Sequence, residues 1–239
     1  MSVILEGLKE AFFLLVRGDA GIWGIVLLSL KVSGSAVVLS MVCGIPAGVL
    51  LALSKFPGRK VLISILNTGM GLPPVAVGLF VTLLLWRSGP LGALELLYTP
   101  AAMVLAQFII AFPIISGLTL ASIQQLDKRL PLQILSLGAS RSQMFLRLLR
   151  EARLASLAAV VAGFGGVISE VGAVIMVGGN IKGQTRVLTT ATVQEARQGH
   201  FEQAIAFGIL LLLLAFVVNL ALTYIQQRGE VSWERPVWK

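Results

Sequence analysis

Two charged residues, Lys31 and Glu170, each lie within a long run of apolar residues. A charge inside the hydrocarbon core of a membrane costs free energy, and such side chains usually face a water-filled cavity or pair with one another. Both residues are therefore candidates for lining a path across a membrane. The alternative, equally open, is structural: the two pair with each other, or Lys31 reaches the lipid headgroups.

A pair of prolines, Pro73 and Pro74, follows Gly69 and Gly71 in the middle of another apolar run. Proline lacks the backbone N–H that continues a helix, so a helix break is expected there. Broken helices in membrane proteins expose backbone groups where these line a cavity. Pro73 and Pro74 are thus further candidates for the same path, and a simple kink is the alternative.

The sequence gives little support for catalysis or for a bound metal. His200 is the only histidine and Cys43 the only cysteine, so the usual zinc ligands are too few for a site. There is no phosphate loop of the GxxxxGK[ST] type and no nucleophile in an evident motif beside a base. We therefore expect no catalytic residue, metal or cofactor in this chain, and a function that depends on how its helices pack and move.

The composition indicates a membrane protein. Of the 239 residues, 56% are hydrophobic and only 13% are charged, and the mean hydropathy is +0.91. Charged residues make up about a quarter of an ordinary soluble domain. The sequence predicts an all-α integral membrane protein, in which the formal charge of +8 reflects topology rather than nucleic-acid binding.

The apolar runs predict about five crossings, because a helix needs about 20 residues to span the hydrocarbon core. Residues 1–21 have too short an apolar run to span and predict an amphipathic helix in the membrane interface. Its apolar face is formed by Leu5, Leu8, Phe12, Leu15 and Val16. A transmembrane domain is expected at 22–226 and a tail at 227–239. The predicted crossings are 25–53, 61–86, 101–123, 154–177 and 204–225.

The distribution of Lys and Arg predicts the orientation, because cytoplasmic loops carry the excess of these residues. With the N-terminus outside, the cytoplasmic segments 54–60, 125–153 and 226–239 hold 3, 6 and 3 of them. The outer segments hold six, namely Lys9, Arg17, Arg87, Lys182, Arg186 and Arg197. This bias predicts an outer N-terminus and a cytoplasmic C-terminus.

The long polar segment within 125–153 has the pattern of two short helices joined by a turn. Pro131 suits the first turn of one helix, and Gly138 can take the left-handed conformation that ends it. Ser140 and Gln143 form a capping-box pattern, which predicts a second helix beginning near residue 141. Four arginines charge this second helix, and apolar residues recur along it at helical spacing, namely Met144, Phe145, Leu148 and Leu149. We expect it to dock on a partner, with a solvated basic loop as the alternative.

At this segment the sequence resembles the permease subunits of bacterial ABC importers. Their cytoplasmic loop has the pattern EAA, three residues, Gly, nine residues and I-x-LP. Gly138 matches the glycine, LGAS at 137–140 matches its common surroundings, and Leu148 replaces the isoleucine. The EAA and LP positions differ, since they hold LQI at 132–134 and Arg150-Glu151.

Other segments resemble the oxyanion branch of this family, which imports molybdate, tungstate or sulfate, and are most similar to tungstate permeases. The similar segments are SLKVSGSAVVLSMVCGIPAGVLLA (29–52), LPPVAVGLF (72–80), LAQFIIAFPI (105–114), SEVGAVIMVGGNIKGQTRVLTTA (169–191) and QEARQGHFEQAIAFGILLLLLAFVVNLAL (194–222). The resemblance therefore covers nearly the whole chain.

The resemblance implies a non-catalytic permease that imports tungstate across the cell membrane by alternating access. It implies a homodimer of this chain, two cytoplasmic ATPase subunits that bind ATP and magnesium, and an extracytoplasmic tungstate-binding protein. The helix after the turn would be a coupling helix inserted into a groove of the ATPase. The residues that would make this contact are Leu137, Gly138, Ala139, Ser140, Arg141, Met144, Phe145 and Arg147.

Other functions stay open at this point. The same importer would suit molybdate or sulfate, because these tetrahedral dianions are alike in shape and charge. A secondary transporter without an ATPase is disfavoured by the few crossings, the absence of a visible repeat and the scarcity of membrane-embedded acids. Composition alone does not exclude a membrane scaffold.

Overall fold

The computed structural model describes residues 2–17 and 20–227, which form eleven α-helices and one short 3-10 turn, Gly92–Leu94. No strand occurs among these residues, and the predicted all-α fold is confirmed. The predicted tail after residue 227 lies outside the described residues. The helices are α1 (Ser2–Arg17), α2 (Ala20–Leu53), α3 (Arg59–Met70), α4 (Pro74–Leu85), α5 (Pro100–Gln125), α6 (Leu130–Ser136), α7 (Arg141–Glu151), α8 (Arg153–Ile168), α9 (Gly172–Gly178), α10 (Leu188–Arg197) and α11 (Phe201–Gln227).

Three of these helices, α2, α5 and α11, are each long and apolar enough to cross a membrane. They contain the predicted crossings 25–53, 101–123 and 204–225. Two further pairs, α3 with α4 and α7 with α8, are bent by 106° and 69°, and counting each pair as one span gives up to five. The described residues therefore hold between three and five spans.

The predicted crossings 61–86 and 154–177 are each divided between two helices. The first breaks between α3 and α4, where the glycines and prolines at 69–74 predict a break. The second breaks at 169–171 between α8 and α9, where the sequence pattern predicts one continuous helix. The hydroxyl of Ser169 donates to the carbonyl of Gly165 at 3.0 Å. Such a bond from side chain to backbone competes with continued helix and accompanies the end of α8.

Helix α5 lies at the centre of the hydrophobic core, which it forms with α2, α4, α8 and α9, and its most extensive contact is with α2. Small residues bring the two backbones together, because a Cβ added at Gly48 of α2 would lie 2.5 Å from the carbonyl oxygen of Ser116 on α5. Gly44 also lies against α5, because a Cβ added there would lie 3.3 Å from the carbonyl oxygen of Phe112. Without a hydrophobic driving force between spans, such close backbone packing is a main source of helix association.

The amphipathic helix α1 packs on the first turns of α11. Gly7 faces Ile205 closely, and Ala11 is buried. Leu5 and Leu8 of the predicted apolar face are exposed on the molecular surface, as expected for a helix that meets lipid. The side chains of the other members of that face, residues 12, 15 and 16, lie outside the described set.

Replacing Gly48 by Ala should push α2 away from α5, since the new methyl group meets backbone atoms that cannot rotate away. We expect a loss of about 1–3 kcal/mol in the free energy of unfolding, seen as a lower melting temperature of the purified protein in detergent. Gly34→Ala is the matched control on the same helix, because nothing lies within 4 Å of an added Cβ there. Equal melting temperatures for both variants would contradict close packing at Gly48.

Candidate functional site

Two helix breaks lie side by side, one between α3 and α4 and the other between α8 and α9. They meet where helices α4 and α9 pack along each other. A Cβ added at Gly172 would lie 2.5 Å from Cγ2 of Val75, and one added at Gly78 would lie 2.6 Å from Cα of Ala173. The glycines thus let the two short helices approach closely, and we call this pair of breaks the paired break.

Local sequence explains the first of these breaks. Helix α3 ends at Met70, and the N–H of Gly71 donates to the carbonyl of Thr68 at 3.0 Å in a tightened last turn. Pro74 begins α4, where its missing N–H would have no helical partner in any case. The carbonyl of Pro73 accepts from the N–H of Ala76 at 2.9 Å, which starts the next set of helical bonds.

Glu170 closes the second break. One carboxylate oxygen accepts a hydrogen bond from the N–H of Ala173 at 3.0 Å, so the side chain caps the N-terminus of α9. A negative charge is also favourable at this end of a helix, where the peptide dipoles leave a partial positive charge. The capping bond supplies a structural role for a charge in an apolar run.

Three other elements hold the second break through polar side chains. Gln107 of α5 is buried, and its Nε2 donates to the carbonyl of Val167 at 3.0 Å in the last turn of α8. Thr189 of α10 donates through its hydroxyl to the carbonyl of Glu170 at 3.1 Å. Ser29 of α2 accepts from the N–H of Leu188 at 2.8 Å, which ties the start of α10 to α2. The carbonyls of Val167 and Glu170 at the break therefore find partners within the protein.

The structure brings together only some of the charged and proline residues singled out in the sequence. Pro74 and Glu170 each adjoin the contact between Val75 and Gly172, and Pro73 begins the same turn. Lys31 is exposed and lies on the opposite side of α2 from the buried Ser29 and Ser33, because two residues along a helix turn the chain by about 200°. No ion pair joins Lys31 to Glu170 within the described part of this chain.

Gln107, Ser29 and Thr189 position the paired break and were not among the predicted site residues. A signal for Gln107 was present, since a glutamine interrupts the apolar run of α5. Ser29 and Ser33 stand four residues apart, which places them on one helical face. Thr189 offered no such signal, because its partner is the carbonyl at a break that the pattern did not predict.

The predicted turn and second helix at 130–151 are present. Gly138 has a φ of +83°, and its N–H donates to the carbonyl of Leu135 at 3.0 Å. The N–H of Ala139 donates to the carbonyl of Ile134 at 3.4 Å, which completes a Schellman ending of α6. Ser140 and Gln143 form the expected reciprocal capping bonds, of 3.3 Å and 2.8 Å, at the start of α7.

The apolar stripe of α7 packs, at least in part, against this chain. Leu148 is buried with Val49 and Ile123, and Met144 and Phe145 pack partly buried against the same cluster. The side chains left for a partner are instead Leu137, which at 87% is the most exposed large apolar residue described, and residues around it. Those residues are Leu132, Ala139, Ser140, Arg141, Leu146 and Arg147.

The exposed residues of the turn border an open cleft of about 730 Å³ between α6 and α7. Its rim includes the apolar Leu137 and Leu146 together with the cationic Arg147 and Arg150. This mixture is typical of a surface that contacts another protein, where apolar contact is framed by charge.

Comparison with known proteins adds the following similarities. A family model described as the inner membrane component of binding-protein-dependent transport systems matches residues 44–230. The tungstate uptake system permease protein TupB of Peptoclostridium acidaminophilum is 38% identical over 227 residues, covering 95% of this chain and 100% of that protein. A probable anion ABC transporter permease protein of Haloferax volcanii is 44% identical over 82% of this chain and 86% of its own length. The molybdenum transport system permease protein ModB of Escherichia coli is 32% identical over 71% and 77%.

Two solved structures share the fold. The inward-facing MetNI methionine ABC transporter has a TM-score of 0.71 at 20% identity, covering 91% of this chain and 97% of that chain. A bacterial alginate ABC transporter, in complex with a periplasmic protein bound to an alginate pentasaccharide, has a TM-score of 0.72 at 22% identity over 93% and 86%. At these identities the likeness concerns the fold alone.

Substitutions at Glu170 separate the capping bond from the charge. Glu170→Ala removes the acceptor for the N–H of Ala173, and we expect a loss of about 1 kcal/mol in the free energy of unfolding. Glu170→Gln keeps an oxygen acceptor and should melt close to the wild type in detergent. A Gln variant that melts as low as the Ala variant would contradict a cap that depends on the hydrogen bond.

Proposed function

The chain belongs to the family of inner membrane components of binding-protein-dependent transport systems, and from this we propose that it imports tungstate across the cytoplasmic membrane. It is the permease subunit of an ABC importer. Such subunits form the pore and are not catalytic. Membership of this family leaves no support for a carrier without an ATPase or for a scaffold.

The observation that carries the choice of tungstate is the similarity to a tungstate permease along the full length of both chains. The relative with a named molybdenum system is less similar and matches over a smaller share of both chains. Import of molybdate or sulfate is the second candidate, because these dianions share their charge and tetrahedral shape with tungstate. In that case the binding protein, rather than the permease, would select the anion.

The proposed assembly contains two copies of this chain, two cytoplasmic ATPase subunits and an extracytoplasmic tungstate-binding protein. ATP and magnesium would bind to the ATPase subunits alone. The excess of Lys and Arg supports an outer N-terminus, a cytoplasmic C-terminus and a cytoplasmic position for α6 and α7. The cleft between α6 and α7, with its exposed Leu137 and arginines, would then face the ATPase.

We assign the turn after α6 and the exposed side of α7 as the coupling contact. Within the predicted set, Leu137 to Arg141 and Arg147 would touch the ATPase, while Met144 and Phe145 would connect α7 to the transmembrane helices. That connection is direct, since Leu148 packs against Val49 of α2 and Ile123 of α5. A displacement of α7 would therefore be passed to two of the spans, α2 and α5.

The paired break is the proposed moving part of the path. Pro73, Pro74 and Glu170 lie at or just before the beginnings of the short helices α4 and α9, and both helices pack in the main hydrophobic core with α5. A change in α5 would therefore be passed to both short helices. ATP binding would shift the balance between inward-facing and outward-facing forms only through its different affinity for the two. Lys31, exposed on α2, would contribute to the path only where the second copy covers it.

Gly138→Val should uncouple ATP hydrolysis from transport. A β-branched residue strongly resists the φ of +83° found at Gly138, so the turn before α7 would be rebuilt. We expect the assembled importer in vesicles to keep ATPase activity while tungstate uptake per ATP falls several-fold.

Gly58→Val is the matched control for this substitution. Gly58 has a φ of +87°, and at both glycines nothing lies within 4 Å of an added Cβ. Normal uptake per ATP in the Gly138 variant would contradict the assignment of the turn. An equal defect in both variants would show that backbone strain alone is responsible.

Intracellular tungsten and molybdenum, measured by elemental mass spectrometry, test the substrate directly. Cells lacking this chain are compared with cells in which it is restored, at trace external tungstate with excess molybdate or sulfate. We expect tungsten accumulation that depends on the chain and resists both competitors. Accumulation that molybdate abolishes would support the second candidate, and no dependence on the chain would contradict oxyanion import.

A further inference from the structure

A cavity of about 330 Å³ lies between α1, α2, α10 and α11, away from the paired break. The segment 179–187, which joins α9 to α10, contributes two cations to its lining, Lys182 and Arg186. The wall opposite is apolar, with Ile22, Ile25 and Phe207. An apolar wall facing a few charged donors is the usual composition of a small-ligand site.

Arg186 lines this cavity, and the hydrogen-bonding capacity of its guanidinium is largely unused among the described residues. Its Nε is enclosed by the protein and has no acceptor among them. The bond from its Nη2 to the carbonyl of Asn180 is long, at 3.5 Å. A buried donor without an acceptor is costly, and a guanidinium presents its donors in a fork that fits two oxygens of an anion.

Neither cation of the cavity is held in an ion pair with the carboxylates that also line it. Lys182 makes no hydrogen bond or ion pair with any described residue. The carboxylate of Glu195 bonds His200 at 2.9 Å instead of either cation. Glu10 of α1 forms no ion pair in the described part of the chain. Lys182 and Arg186 are therefore both free of a direct carboxylate contact.

The segment that carries Arg186 is held in place by Thr185. The buried hydroxyl of Thr185 donates to the carbonyl of Gly178 and accepts from the N–H of Ile181 at 2.9 Å. The carbonyl of Ile181 in turn accepts from the N–H of Arg186 at 3.1 Å. A donor on such a fixed turn binds a ligand without the entropy cost of ordering the segment first.

We propose that this cavity is a binding site for a tetrahedral oxyanion, with Arg186 as the main ligand and Lys182 as the second charge. The proposal rests on the function proposed above and gives the anion a place on the predicted outer side, before the path. Three residues beyond Arg186, the hydroxyl of Thr189 bonds the carbonyl of Glu170 at the second break. An anion held at Arg186 therefore contacts the segment that ends at the moving part.

Isothermal titration of sodium tungstate into the full-length protein in detergent tests the site. We expect Arg186→Gln to bind tungstate about tenfold more weakly or worse, because it loses a charge-assisted hydrogen bond to the anion. Lys182→Gln should weaken binding less, since Lys182 is exposed and well hydrated. Arg87→Gln removes another cation of the predicted outer segments, one that does not line the cavity, and should bind as the wild type.

The outcomes separate the site from the function. Wild-type affinity in Arg186→Gln, or no binding at all to the wild type, would overturn the site. Equal weakening by Arg87→Gln would reduce the effect to net charge and would also overturn it. Tungsten uptake by wild-type cells is measured in parallel, because its absence contradicts the function whatever the titration gives.

Discussion

Backbone groups freed by a helix break must find partners inside the protein when the break lies in an apolar environment. The fold around the paired break is organised by this requirement. Glu170 caps α9, and Gln107 and Thr189 supply donors to the carbonyls of Val167 and Glu170. Four segments of the chain therefore converge on one interruption. Glu170, Gln107 and Thr189 thus each satisfy a backbone group at the break.

The same requirement separates what the sequence predicts from what it does not. Helix ends made by local rules were predictable: Gly138, the capping box of Ser140 and Gln143, and the prolines before α4 all act within a few residues. The break at 169–171 was not, since its partners lie on α5 and α10, distant in sequence. The direction of the α7 stripe was also missed. The amphipathic pattern predicts that Met144 and Phe145 pack against an apolar surface. It does not show whether that surface belongs to this chain or to a partner.

Charge is used sparingly and in separate places. Arginines and exposed apolar residues stand together on the turn and on α7, where a protein partner is proposed to bind. Lys182 and Arg186, in the polar segment between α9 and α10, line a separate cavity. Among the described residues, Glu195 and His200 form an ion pair. Lys182 and Arg186 form none with these residues, in keeping with the anion site proposed above.

The distance along the chain between packed partners affects the order in which the protein can be built. Gly48 of α2 contacts Ser116 of α5, which follows it by about 70 residues in the chain. Gly78 of α4 contacts Ala173 of α9, which follows it by nearly 100 residues. During synthesis α2 leaves the ribosome before its partner exists, but it is long and apolar enough to stay in the bilayer alone. The short helices α3 and α4 have no such independence. Helix α4 must therefore wait for the second half of the polypeptide before its partner α9 is present.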